Sequence, residues 1–269
     1  MSLVLDHVVI LVAELEAAIA DYTALGLTVQ RGGTHAGGAT HNALIGFADG
    51  SYLELIAFLK PDPAHRWGPA AQRGIEGFID FALLPSSVGE VVAAARSRGL
   101  AYDGPVDSGR LRPDGQRLAW QMGMPPSRDL PFLCGDITPR ALRVCEGEVR
   151  WHANGVQGVA VLSVLVANLE TSLARYAALL GPAAVQGVRC VGLPGLGLRQ
   201  ALLPLGTTTL ALVSPGPDVQ DAAPLRARLD QQGEGVLGLS LHGPAGVAPL
   251  AWPRDRTHGA AFDTTPGPG

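Results

Sequence analysis

Residues Leu5–Leu27, LDHVVILVAELEAAIADYTALGL, carry two periodicities and one misfit. Val8, Ile10 and Val12 alternate with His7, Val9 and Leu11, which predicts a strand. From Leu15 the period lengthens to about 3.6. Leu15, Ile19, Tyr22 and Leu25 then form one helical stripe, closed by Gly26. Three more strands are predicted at 28–31, 42–47 and 52–58, the last two joined by the hairpin signal Asp49-Gly50. The unit is βαβββ. The misfit is His7, an imidazole in an apolar run.

The unit recurs. Val166, Ala167, Leu169 and Glu170 repeat Val12, Ala13, Leu15 and Glu16, and Leu173, Tyr176 and Leu179 repeat Ile19, Tyr22 and Leu25, each pair 154 positions apart. Between them a strand at 77–84 leads into a helix with the capping box Ser87-x-x-Glu90 and a stop at Gly99. Strands near 109–111 and 117–122 flank a second hairpin signal, Asp114-Gly115. A reduced fourth unit is predicted around a strand at 235–241. One helix covers only one face of such a sheet. Units therefore pair, and the paired sheets curl into cups whose hollow side takes a ligand.

The predicted class is α+β: βαβββ modules paired into curled, cup-shaped mixed sheets with helices outside. The expected domains are 1–135, with modules at about 1–60 and 75–125, and a degenerate second domain at 150–260. The stretch 123–148 reads as the connection and 261–269 as a flexible tail.

Composition bounds the function. With 47% apolar and 16% charged residues, the 269-residue chain is predicted globular, and a net charge of −4 offers no basic face for nucleic acid. No apolar run reaches the roughly 18–20 residues of a membrane helix, and Asp6 precedes any basic residue, so no secretory signal is expected. Three cysteines without CxxC spacing suggest neither a disulfide framework nor a zinc knuckle. The expectation is a soluble, cytoplasmic, bacterial-style protein with a small-molecule partner.

The segments LDHVVILVAELEAAIADYTALG, HAGGATHNALIGF, YLELIAF, GRLRPDGQRLAWQM, LPFL and WHANG resemble the vicinal oxygen chelate superfamily, in its glyoxalase-like branch (the glyoxalase, bleomycin resistance and dioxygenase group). The resemblance implies metal ligands on the first and last strands of each module, aimed into the cup. Residue by residue it places them on His7 and Glu54, and it implies one divalent metal, Fe, Mn, Ni or Zn. Phase agrees: His7 opposes Val8, Ile10 and Val12, and Glu54 shares a face with Tyr52 and Ile56. A carboxylate among apolar neighbours calls for a cationic partner.

The partner module supplies no second pair. Aligning the two Asp-Gly turns sets Ala119 opposite Glu54, with Phe81 near the place of His7, whereas pairing with the third unit sets Val161 and Ala211 there. A third ligand could come from His35 or His41. A metal-free His7–Glu54 pair and an unrelated buried role for His7 stay open beside the metal. Asn42, Arg110 and Trp120 are expected to touch substrate, with Arg110 as an anion or carbonyl clamp and Trp120 as an aromatic wall.

Two functions follow. One is a lyase, isomerase or dioxygenase acting on a small oxygenated molecule, with Glu54 catalytic and a metal half-site at His7 and Glu54. A strict glyoxalase is not expected without the four-ligand set. The other is a non-catalytic binding or sequestering protein of the bleomycin-resistance type. A third possibility is that the degenerate second half serves only as a lid or homodimer element. His152 and Asn154 read as caps rather than substrate contacts, and GLPGLG at 192–197 reads as a turn because it lacks the Lys-Ser/Thr of a phosphate loop.

Overall fold

The computed structural model describes residues 3–266. The first unit is β1 (Val4–Leu11), α1 (Leu15–Ala24), β2 (Gln30–His35), β3 (Thr40–Gly46) and β4 (Tyr52–Phe58). After a short helix α2 (Gly68–Gln72), the second is β5 (Gly77–Leu84), α3 (Val88–Ser97), β6 (Asp103–Leu111), β7 (Arg117–Met124) and β8 (Phe132–Asp136). The Ser87 hydroxyl caps α3 by accepting from the Glu90 amide. The eight strands close into a barrel in the order β1-β4-β3-β2-β6-β7-β8-β5. Within each unit the first and last strands run parallel, and the units meet antiparallel at β1 and β5.

β8 corrects the reading of 123–148 as a plain connection. Its residues follow Pro131, and the four before Asp136 are apolar without alternation, so no period marks them; only β5 and β7 on either side make them a strand. Val9 and Ala82 each stand five residues before the cap of the following helix, and they pair with Glu54 and Phe132 respectively. Phe132, not Ala119, therefore occupies the counterpart of Glu54. By the same count Asp80, not Phe81, occupies the counterpart of His7.

After a helical turn α4 (Arg140–Arg143), the remaining chain forms β9 (Val159–Leu165), α5 (Leu169–Leu180), β10 (Val191–Leu193), β11 (Leu198–Leu205), β12 (Thr208–Pro215), α6 (Ala223–Gln232), β13 (Gly235–His242) and β14 (Phe262–Thr265). Its strand order, β10-β11-β12-β9-β13-β14, follows the barrel's run β2-β3-β4-β1-β5-β8. Among the described residues counterparts of β6 and β7 are missing, and this sheet is open. β14 also corrects the flexible tail over 262–265: Phe262 is buried beside Trp252, and the strand pairs with β13. Residues 267–269 lie outside the described residues.

The two sheets share one apolar core, in which Val8, Ile10 and Tyr22 join Leu53, Val164, Leu212 and Leu239. Three tyrosines buried there each donate to a backbone carbonyl: Tyr22 to Thr257, Tyr102 to Pro131 and Tyr176 to Asp129. The apolar ring is thus buried with its hydroxyl satisfied. Buried Asp129 accepts from Ser172 and Arg175 of α5, which ties the second half to the barrel. No helix among the described residues is long and apolar enough to cross a membrane.

Candidate functional site

Strand alternation sorts β1 into two faces. Val8 and Ile10 enter the shared core, while His7, Val9 and Leu11 face the barrel interior. On β4, Leu53 and Leu55 go outward, and Tyr52, Glu54 and Ile56 go inward. The inward set lines a cavity of about 320 Å³. Asn42 enters from β3, His35 from the end of β2, Arg110 from β6, Trp120 from β7 and Phe132 from β8; Trp67, before α2, covers it. His7, Glu54, Asn42, Arg110 and Trp120 therefore meet in one place. His35 joins them.

His41 does not. It pairs with Ala57 on the outer face, beside Glu14 and Glu16, so it is removed as a ligand candidate. His152 and Asn154 are tethers: His152 accepts from the Thr28 amide and faces the Gly46 carbonyl, and Asn154 donates to Leu25.

A chain of charges runs through the barrel wall. Asp6, fully buried, accepts from Arg140 at 2.5 Å and from Arg143 at 2.9 Å, and its Oδ2 lies 2.7 Å from His7 Nδ1. Arg143 also donates to Asp136 at 2.5 Å and to the Tyr52 hydroxyl at 2.6 Å. On its far side His7 Nε2 lies 3.4 Å from Glu54 Oε2 and its ring stacks on Tyr52. Glu54 Oε1 accepts from the Asn42 amide at 2.6 Å and lies 3.3 Å from His35 Nε2. His35 Nδ1 is 3.0 Å from the Thr40 hydroxyl, and Asn42 Oδ1 accepts from Arg110 at 3.4 Å.

These neighbours set the protonation. Burial pushes the Glu54 carboxyl up, but hydrogen bonds and charge from His35 and His7 outweigh it and hold Glu54 well below the usual carboxylate range. Asp6 is likewise raised by burial and lowered further by Arg143, His7 and Arg140. His7 is lowered by burial, yet Asp6 and Glu54 prevail and raise it. The favoured state is an imidazolium between two carboxylates.

The superfamily's metal was tested against these donors. With Asp6 on Nδ1, His7 has the outer support typical of a metal-ligating imidazole. The rest does not close around an ion. His7 and His35 flank opposite oxygens of Glu54 rather than a common point. Asp80 spends its oxygens on Arg66 at 2.5 Å, Trp67 at 2.9 Å and the Phe81 amide, and Phe132 has no donor. Among the described residues no group of three His, Cys, Asp or Glu is arranged to hold a metal ion. As arranged, the residues do not fit the metal.

Asp6, Arg140, Arg143 and Asp136 escaped the sequence reading, which placed Tyr52 on the face of Glu54 without giving it a partner. Asp6 is masked by the motif histidine beside it. The arginines come from a segment with no periodicity. Gly32 is a further hidden participant, because a Cβ there would meet Asn42 Oδ1 at 2.0 Å and Arg110 Nη1 at 2.7 Å. Gly32→Ala is expected to keep the fold, since it collides with side-chain ends, while turning the Asn42 amide away from Glu54. The Asn42 side-chain amide proton signal should move toward the free-amide position; an unmoved signal would show that the space is not needed.

The glyoxalase-like domain family matches residues 5–180. No match was found among curated proteins. Among solved structures, a hypothetical protein from Staphylococcus aureus has 14% identity and a TM-score of 0.70, with 98% of this chain and 99% of that one covered. A mutant of 4-hydroxymandelate synthase from Streptomyces coelicolor has 17% identity and a TM-score of 0.58, with 95% and 78% covered. These likenesses concern the fold. With the family match spanning most of the barrel and reaching into the second sheet, the chain belongs to the glyoxalase-like domain family of the vicinal oxygen chelate superfamily.

Proposed function

We propose that the protein is an enzyme of the isomerase or lyase type that moves a proton at a carbon next to a carbonyl group of a small oxygenated molecule. One observation carries this reading: a single buried carboxylate, Glu54, held ionised beside the raised imidazolium of His7 in an aromatic-walled cavity. Glu54 takes the carbon-bound proton, and the electron pair of the broken C–H bond passes to the carbonyl oxygen. The protonated His7 flank meets that charge. Returning the proton to the other face isomerises the substrate; expelling a group from the next carbon completes a lyase step. No step is routed through a metal, because the donors do not converge.

Solvent exchange tests it. A panel of 2-oxo, 2-hydroxy and 3-oxo compounds in D₂O should show enzyme-dependent loss of an α-proton signal for at least one member, and Glu54→Gln should slow it by about 10² or more. Elemental analysis runs alongside. Stoichiometric metal lost from both His7→Ala and Glu54→Ala would overturn the metal-free mechanism in favour of the metal half-site.

The second reading, a binding or sequestering protein, draws on one fact: a carboxyl held so far below its usual range is a weak base. Ligand binding without exchange across the panel decides for it.

A further inference from the structure

We propose that Arg110 receives a carboxylate, so that the cavity's ligand is a small carboxylic acid with a flat apolar body. This rests on the cavity being the ligand site, as proposed above, and not on Glu54 moving a proton. Three arginines reach the cavity, and two are neutralised: Arg66 by Asp80, Arg143 by Asp6 and Asp136. Arg110 is 95% buried, since only 5% of it is exposed, and it has no carboxylate partner among the described residues.

Its contacts are neutral. Nη2 donates to the Arg143 carbonyl at 2.8 Å, and Nη1 reaches Asn42 Oδ1 at a loose 3.4 Å. Nε is buried with no acceptor at all. A buried charge with neutral partners and an unmet N–H is costly until something anionic completes it. With Nε unspent and Nη1 weakly held, the guanidinium keeps N–H donors for an incoming carboxylate oxygen.

Glu54 does not serve as that anion. The Asn42 amide stands between them, its oxygen toward Arg110 and its nitrogen toward Glu54. Trp120, on the same hairpin, and Phe132 from the neighbouring strand β8 supply walls for a flat apolar body. Arg110 also borders an outer hollow with Arg112 and Asp114, so Arg112 is the control for anions bound from that side.

Calorimetric titration at pH 7 with benzoate, phenylacetate and 3-phenylpropanoate, each against its amide, tests the assignment. At least one acid should bind tenfold or more tightly than its amide. Arg110→Gln should erase the preference, Arg112→Gln should keep it, and Glu54→Gln should keep or widen it by removing a negative neighbour. Equal binding of acid and amide, no binding of any acid, or a preference that survives Arg110→Gln overturns the proposal.

If Arg110→Gln does not fold, the Arg110 Nε–H resonance of the unmodified protein decides. It must shift with the acid and not with the amide, and an unmoved resonance counts against the carboxylate. Because the preference is expected to persist in Glu54→Gln, failed proton exchange and failed acid recognition are read separately.

Discussion

Asp6→Asn is expected to lower the unfolding free energy by about 3–5 kcal/mol, the usual consequence of removing one partner from a buried charge cluster. Asp6 has no solvent exposure and ties His7, its neighbour on β1, to Arg140 and Arg143 of one short helix beyond β8. The substitution preserves shape and removes only the charge. Arg143 keeps Asp136, but His7 loses the carboxylate that raises it. Urea denaturation gives the magnitude, and an NMR titration should show the His7 pKa falling. A change below about 0.5 kcal/mol, the level of an ordinary surface substitution, would refute the role.

The same groups set a pH window for stability. Asp6 and Glu54 are depressed in the folded state, so their contribution is present above their ordinary values and lost as pH falls through the folded ones. His7 is raised, so its contribution is complete below its ordinary value of 6.5 and lost as pH rises through the folded one. Stability attributable to the cluster should therefore be greatest between about 4.5 and 6.5, the ordinary values of Glu54 and His7. A series of urea midpoints against pH checks it; a cluster contribution still rising above neutral pH would contradict the raised His7.

The second large effect concerns Glu54→Gln, expected to cut the proton-exchange rate by about 10²–10⁴, the range for removing a positioned general base. Glutamine fills the same space and can still accept from Asn42, so the circular dichroism spectrum should match the unmodified protein. The rate profile follows from the shifts cited. Glu54 stays ionised to well below its ordinary 4.5, so the acid limb lies low. The alkaline limb appears where His7 loses its raised proton, above 6.5. A Gln variant retaining full exchange would move the base elsewhere in the cavity, and His35 is the nearest other imidazole.

Much of the first half was legible in the sequence. Alternation assigned His7 and Glu54 to the inward face, because a strand's side chains have a period of two, and the register of His7–Leu11 on Tyr52–Ile56 is unbroken. The α1 stripe, the Ser87 cap and the internal repeat depended only on neighbouring residues, and the repeat implied paired modules. β8 was hidden because four apolar residues between a proline and an aspartate carry no period. With it was hidden the assignment of Phe132 and Asp80 to the other half of the cage.

By itself, then, the sequence determined the βαβββ unit, its pairing and the inward phase of His7 and Glu54, since these rest on local periodicity. Tertiary structure alone decided which charges meet. It put Arg140 and Arg143 behind Asp6, moved His41 outside and His35 inside, and left Arg110 without a counter-ion among the described residues. Those contacts join residues far apart in the chain, as with the 137 positions between Asp6 and Arg143. Burial makes each contact consequential, and no local pattern of residues encodes which distant side chain will share a buried volume.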